Sequence, residues 1–127
     1  MNGDQLFENA VNMYNLWYKF FDRNYYTMQS YELFTKAKNK YLMSKNINRI
    51  ISCYEWMIKC LQEVTNNYYN DDLAIVYDDF AYYLFNNNNI DKAIVLFQKA
   101  TDIYNDSGNF SRIIKIKEYQ TVNYKVK

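Results

Sequence analysis

The chain has 127 residues and 15.5 kDa, half of them apolar and a fifth aromatic, with a net charge of +1 from 15 basic and 14 acidic side chains. That is one domain's length with ample core material, and the charge balance excludes a nucleic-acid binder working through bulk electrostatics. There is no histidine, which removes the commonest general base and the commonest zinc ligand together, and no proline, which argues against a Pro-rich linker or a turn-dense β sandwich.

Apolar residues recur at three- and four-residue steps along the whole chain, the period of amphipathic helices. Leu6, Ala10, Met13, Tyr14, Trp17, Phe20 and Phe21 form the first stripe, so the first helix is expected within residues 1–22. After Asp22-Arg23-Asn24 a second stripe runs through Met28, Tyr31, Phe34, Ala37, Tyr41 and Leu42, and Ser44-Lys45-Asn46 breaks it. Ile47, Ile50, Ile51, Tyr54, Met57, Ile58, Leu61 and Val64 make a third, ended by Asn66-Asn67. Asn70-Asp71-Asp72 opens the fourth helix, with acids in the first turn where the helix dipole favours them. Its stripe is Leu73, Val76, Tyr77, Phe80, Ala81 and Leu84, and the run Asn86 to Asn89 is its exit turn, because Asn tolerates left-handed backbone. Ile90, Ala93, Ile94, Phe97, Ala100, Ile103 and Tyr104 make the fifth, closed by Ser107-Gly108, and the sixth spans about 110–124. The fold class is all-α: about six helices joined by short loops, hence antiparallel neighbours.

An internal repeat distinguishes a stack of hairpins from a plain six-helix bundle. Helices four and five carry Tyr77, Phe80, Ala81 and Leu84, then Ala93, Phe97 and Ala100, the large–small alternation of a tetratricopeptide hairpin, with Asn88 at the usual glycine. Small residues let the two helices approach closely while Phe97 fills the groove. Forty-three positions earlier stand Phe34, Ala37, Lys38, Tyr41 and Lys45, then Ile50, Tyr54 and Met57. This copy keeps aromatics but has Lys38 and Ile50 where small residues belong. The expectation is one helical domain over 1–127, a right-handed tetratricopeptide-like stack, with a degenerate hairpin at 28–67 and the best-formed hairpin at 70–106.

No stretch approaches the ~20 apolar residues of a bilayer span, and Met1 to Gln5 carries no secretory pattern. Cys53 and Cys60 lie about 10.5 Å apart along a helix, beyond the reach of a disulfide, so two free thiols and a reducing, cytoplasmic compartment are expected.

From Ser30 onward the sequence resembles the amino-terminal part of the SNAP family, soluble adaptors that bring an AAA+ ATPase to SNARE complexes. The resemblance is carried by Glu32-Leu33-Phe34, Ala37, Asn39, Tyr41, Met43, Lys45-Asn46 and Tyr54. It continues through Phe80, Lys92-Ala93-Ile94, Lys99-Ala100-Thr101-Asp102-Ile103-Tyr104, Gly108-Asn109-Phe110 and Lys115. It implies a non-catalytic adaptor or mimic that binds SNARE complexes and a membrane surface and modulates vesicle fusion, cytoplasmic and peripheral on membranes. SNAP proteins are about twice as long, and nothing here matches the carboxy-terminal half that engages and stimulates the ATPase. Upstream, Leu16, Trp17, Phe20 and Phe21 occupy the register of the family's apolar membrane loop, with Asp22-Arg23 in place of its glycines. Those four residues read equally as a continuation of the first helix's core stripe.

SNAP proteins meet the acidic surface of SNARE bundles with basic side chains. Lys115 stands where the family keeps such a lysine, and Arg112, Lys36, Lys40, Lys45 and Arg49 are further candidates; each also reads as an ordinary solvated position. Charge is unevenly spread. Lys36 to Arg49 holds five basic and no acidic residues, whereas Asp71 to Asp106 holds seven acids and two lysines. Asp71, Asp72, Asp78 and Asp79 are read as helix-start stabilisation and a solvated face, since no His or Cys nearby completes a metal or catalytic site. Without a phosphate loop or nucleophile motif, no enzyme and no cofactor are expected. The competing function is a generic tetratricopeptide-type module that takes another peptide or helix in its groove.

Overall fold

The computed structural model describes residues 1–16, 22–64 and 70–126, with side chains as far as Asn123. Among these it is all-helical, consistent with a tetratricopeptide-like stack: α1 Gly3–Tyr14, α2 Arg23–Ser44, α3 Ile47–Glu63, α4 Asn70–Asn86, α5 Ile90–Ser107 and α6 Phe110–Val126. Contacts divide the chain into two compact units, Met1–Tyr69 and Asn70–Lys127, each holding three helices.

Three interhelix turns share one geometry. Lys45, Asn88 and Gly108, each just past a helix, have φ of 57°, 66° and 77°. In each turn the next residue, an asparagine, sends its N–H back to a carbonyl in the last helical turn. Asn46 reaches Tyr41 at 3.1 Å, and Asn89 reaches Leu84 and Asn109 reaches Tyr104 at 2.8 Å. The left-handed residues themselves bond to Leu42, Phe85 and Asn105. This is the Schellman closure, which satisfies carbonyls that would otherwise lack partners. Lys45 and Asn88 are 43 positions apart, the repeat period, so the backbone keeps the repeat where the side chains have diverged.

In the first unit, α1 starts with a capping box: Asn2 Oδ1 accepts from Gln5 N–H at 2.8 Å while Gln5 Oε1 accepts from Asn2 N–H at 3.0 Å. The helix closes at Tyr14, with the Asn15 N–H bonded to the Val11 carbonyl. That is earlier than the stripe running on to Phe21 predicts, and Trp17–Phe21 lie outside the described residues. Gly3 lets α1 approach α2, since a Cβ there would sit 2.9 Å from the Tyr41 ring. The Ser30 hydroxyl donates to the Ala10 carbonyl at 2.5 Å, and both residues are buried. Phe34 is the centre of this core: fully buried, it stacks on Trp56 of α3 at 5.0 Å and meets Phe7 of α1 edge-on at 5.4 Å. Tyr14 closes the far end by donating its hydroxyl to Glu63, which also pairs with Arg23 at 3.3 Å.

The second unit is built on its small residues. Ala74, Ala81, Ala93 and Ala100 are wholly buried, and Phe97 lies in the groove they open between α4 and α5. α6 docks on this hairpin through Ile113 and Ile116, both buried, and through Tyr119. The Tyr119 ring meets Tyr82 at 4.5 Å, Phe85 at 5.3 Å and Phe97 at 6.1 Å, and its hydroxyl donates to Asn86 Oδ1 at 2.6 Å. No single one of these ring contacts exceeds about 1.5 kcal/mol, but together with the apolar area they bury they fix the docking of α6.

The degenerate positions of the earlier hairpin are accommodated by geometry. Lys38, standing where Ala81 stands in the later copy, is half-buried and lays its Nζ 5.2 Å over the Tyr54 ring. Its four-carbon stem thus covers the groove residue instead of admitting closer approach. Ile50, standing where Ala93 stands, is buried outright.

Candidate partner-binding surfaces

All six cations proposed for partner contact are exposed, and they fall into two groups. In the first unit Lys36 and Lys40 lie one turn apart on α2, Lys45 occupies the left-handed turn position, and Arg49 lies in the first turn of α3, where the Asn46 side chain caps its N–H. Lys40, Lys45 and Arg49 therefore cluster at the α2–α3 turn. Lys40 also borders a shallow hollow formed by Met1 to Asp4 with Tyr41, Met43, Ser44 and Asn46. Arg49 is partly committed to packing, since its guanidinium lies 4.8 Å over the Phe7 ring. Exposed Leu42, Met43 and Ile47 surround the same turn.

In the second unit Arg112 and Lys115 lie three residues apart on α6. Their roles differ. Arg112 lies 5.8 Å over the Tyr104 ring and acts electrostatically on Asp78, so it belongs to an internal cluster, whereas Lys115 stands exposed between buried Ile113 and Ile116.

That internal cluster corrects the reading of the acid run. Asp71, Asp72 and Asp79 are exposed as expected, but Asp78 is 7% exposed. Its Oδ2 accepts from the Tyr104 hydroxyl at 3.3 Å, and its Oδ1 has no hydrogen-bond partner. Burial, and then the neighbouring Asp79 charge, push the Asp78 carboxyl up to about 6; the Tyr104 hydrogen bond and Arg112 oppose the rise without cancelling it. Tyr104 is raised too, first by its own burial and then by Asp78. A signal was present: Asp78 is four residues after Ala74 and three before Ala81, in phase with the buried face.

Cys53 and Cys60 are buried free thiols, and burial pushes Cys53 up to about 12, so it carries no thiolate at neutral pH. Among the described residues no group of three or more His, Cys, Asp or Glu could hold a metal, and no helix is long and apolar enough to cross a membrane. Of the apolar segment, Leu16 is half-buried, while Trp17, Phe20 and Phe21 lie outside the described residues.

Sequence reasoning missed one recurring feature: lysines lie over rings. Lys59 covers Tyr14 and Trp56 at 5.3 and 5.2 Å, Lys92 covers Phe80 at 5.3 Å and Lys99 covers Tyr77 at 5.6 Å. Such contacts contribute about 0.5–1 kcal/mol where water reaches them.

Hairpins with buried alanines, aromatic groove fillers and Schellman turns define a tetratricopeptide-like helical protein. Its family follows from comparison: the model for soluble NSF attachment protein, SNAP, matches residues 2–124, and the chain belongs to that family. The match extends upstream of Ser30 through α1. Searches of curated proteins and of solved structures find no match. SNAP proteins are non-enzymatic adaptors, and membership points to a trafficking role connected with SNARE complexes and NSF.

Proposed function

We propose that this chain is a non-catalytic SNAP-like adaptor or mimic that binds assembled SNARE complexes and a membrane surface, and so modulates fusion. The family match over residues 2–124 carries this reading. Exposed Lys115 supports it, as does the exposed basic cluster of Lys36, Lys40, Lys45 and Arg49, the right sign for an acidic helical bundle. Cations at such a rim set association rate and salt sensitivity more than final affinity. The family's ATPase-stimulating surface belongs to its carboxy-terminal half, so residues 1–127 by themselves should occupy the complex without driving its disassembly.

A pull-down on an assembled SNARE complex tests this, with disassembly followed in parallel. The chain should be retained, Lys115→Glu should weaken retention about tenfold (~1.4 kcal/mol), and added chain should slow disassembly or leave it unchanged. Stimulated disassembly, or retention indifferent to Lys115→Glu, contradicts the assignment. A well-folded chain that ignores SNARE complexes would favour the generic peptide-binding module.

A further inference from the structure

The α2–α3 turn carries apolar and basic side chains together. Leu42, Met43 and Ile47 are 39%, 81% and 47% exposed, close together in the chain. Lys40, Lys45 and Arg49 are exposed among them, and no acid stands between Lys36 and Arg49. The connection is only Lys45 and Asn46, held by its Schellman bonds, so these side chains stand at a fixed tip of the first unit. Lys40 is three residues, ~4.5 Å, behind Met43 on α2, and Arg49 is two residues, ~3 Å, behind Ile47 on α3. On two antiparallel helices this sets apolar groups foremost and a cation one level back on each side. Lys45, at the tip itself, has a four-carbon stem long enough to carry its ammonium back to the same level. The acids nearby are already engaged or farther off. Asp4, across the hollow that Lys40 borders, accepts from the Tyr41 hydroxyl at 2.5 Å. Glu32 lies one turn before Lys36 on α2, which leaves Lys36 outside the tip.

We propose that this tip docks on an anionic lipid surface, with Leu42, Met43 and Ile47 entering the boundary between headgroups and acyl chains while Lys40, Lys45 and Arg49 meet lipid phosphates. The combination of side chains chooses the occupant. The acidic flank of a protein would take the cations but leave Met43 and Ile47 against charged groups. A leaflet supplies negative headgroups and hydrocarbon within ~5–10 Å of each other, the same order as the step between these two sets of side chains. The inference rests on the membrane half of the function proposed above and names the surface and the lipid class. It assigns Lys40, Lys45 and Arg49 to lipid and leaves Lys115 to the protein partner. The turn follows the end of α2, a helix of 22 residues and so ~33 Å long, whereas Leu16–Phe21 precede that helix in the chain; the two contacts are distinct.

Cosedimentation of the full chain with sucrose-loaded phosphatidylcholine vesicles, with and without phosphatidylserine, tests this. The wild type should partition at least about tenfold more strongly onto the vesicles that contain phosphatidylserine. Met43→Ser with Ile47→Ser should lower that partition about tenfold. Lys40→Gln and Lys45→Gln should each lower it about fivefold, and Lys45→Arg should retain it. All of these positions are exposed, so melting temperatures should stay within a few degrees of the wild type. Undiminished partition of both the serine and the glutamine variants overturns the proposal and leaves the membrane reading intact, whereas a wild type that binds neither vesicle overturns both. Partition indifferent to phosphatidylserine also overturns it. Variants that partition like the wild type but lose retention on an assembled SNARE complex would assign the tip to an acidic protein surface instead.

Discussion

Asp78 is the side chain whose environment departs furthest from its chemistry. Burial, with Asp79 beside it, pushes the Asp78 carboxyl from the usual carboxylate range up to about 6, so the folded state binds its proton more tightly than the unfolded state does. The associated stability is fully present below about pH 4 and is lost as pH rises through about 6. The groups facing it are Tyr104 from α5 and Arg112 from α6, with Asp79 and Tyr82 on its own helix. With no histidine in the chain, little else titrates in that window. Denaturant midpoints should therefore fall between pH 5 and pH 7.5, and Asp78→Asn should flatten the profile and stabilise the protein by about 1–2 kcal/mol at pH 7.5. A wild-type midpoint that rises over that interval would contradict the burial argument. The sequence concealed Asp78 because charge was weighed above phase: beside exposed Asp79 it reads as part of a solvated run, and only its register with Ala74 and Ala81 betrays it.

Helices and turns were the most legible level, and the reason is local. Stripes at 3.6-residue spacing, Asn-rich breaks and Ser107-Gly108 marked the turns at Lys45, Asn88 and Gly108, because caps and left-handed turns are chosen within a few residues. Two things were not legible. Lys45 gives no hint of its positive φ, since lysine has no preference for that region; only its 43-residue offset from Asn88 does. The end of α1 at Tyr14 was hidden because Trp17, Phe20 and Phe21 prolong the apolar period past the cap at Asn15. The shared turn makes a graded prediction. Lys45→Gly should stabilise by about 0.5–1 kcal/mol, and Asn88→Gly by less, since Asn already tolerates this backbone. Thermal melts of the two variants check the order, and a destabilised Lys45→Gly would show that the lysine side chain secures the turn.

For the protein as a unit, the all-α class and the SNAP family were readable from repeats and quoted motifs, because a hairpin groove constrains residue size over long stretches. Partners were less readable: exposed lysines in a lysine-rich chain carry little information about what they touch, and Arg112 proved to be bound up with Tyr104 and Asp78. The segment Leu16–Phe21 admits a separate measurement. If it contacts lipid, the chain should float with phosphatidylcholine–phosphatidylserine vesicles, and Trp17→Ser with Phe20→Ser should abolish flotation while leaving the melting temperature within a few degrees. Lost flotation with a melting temperature lowered by ten degrees or more would assign those side chains to the core.

The lysines laid over rings bear on how the core keeps water out. Tyr14, Tyr54, Tyr77 and Phe80 are buried, and Lys59, Lys38, Lys99 and Lys92 lie over them, so each aliphatic stem lids a core ring while its ammonium reaches toward water. Shortening these four stems would open the rings to solvent, whereas neutralising the nitrogens alone would leave the lids in place.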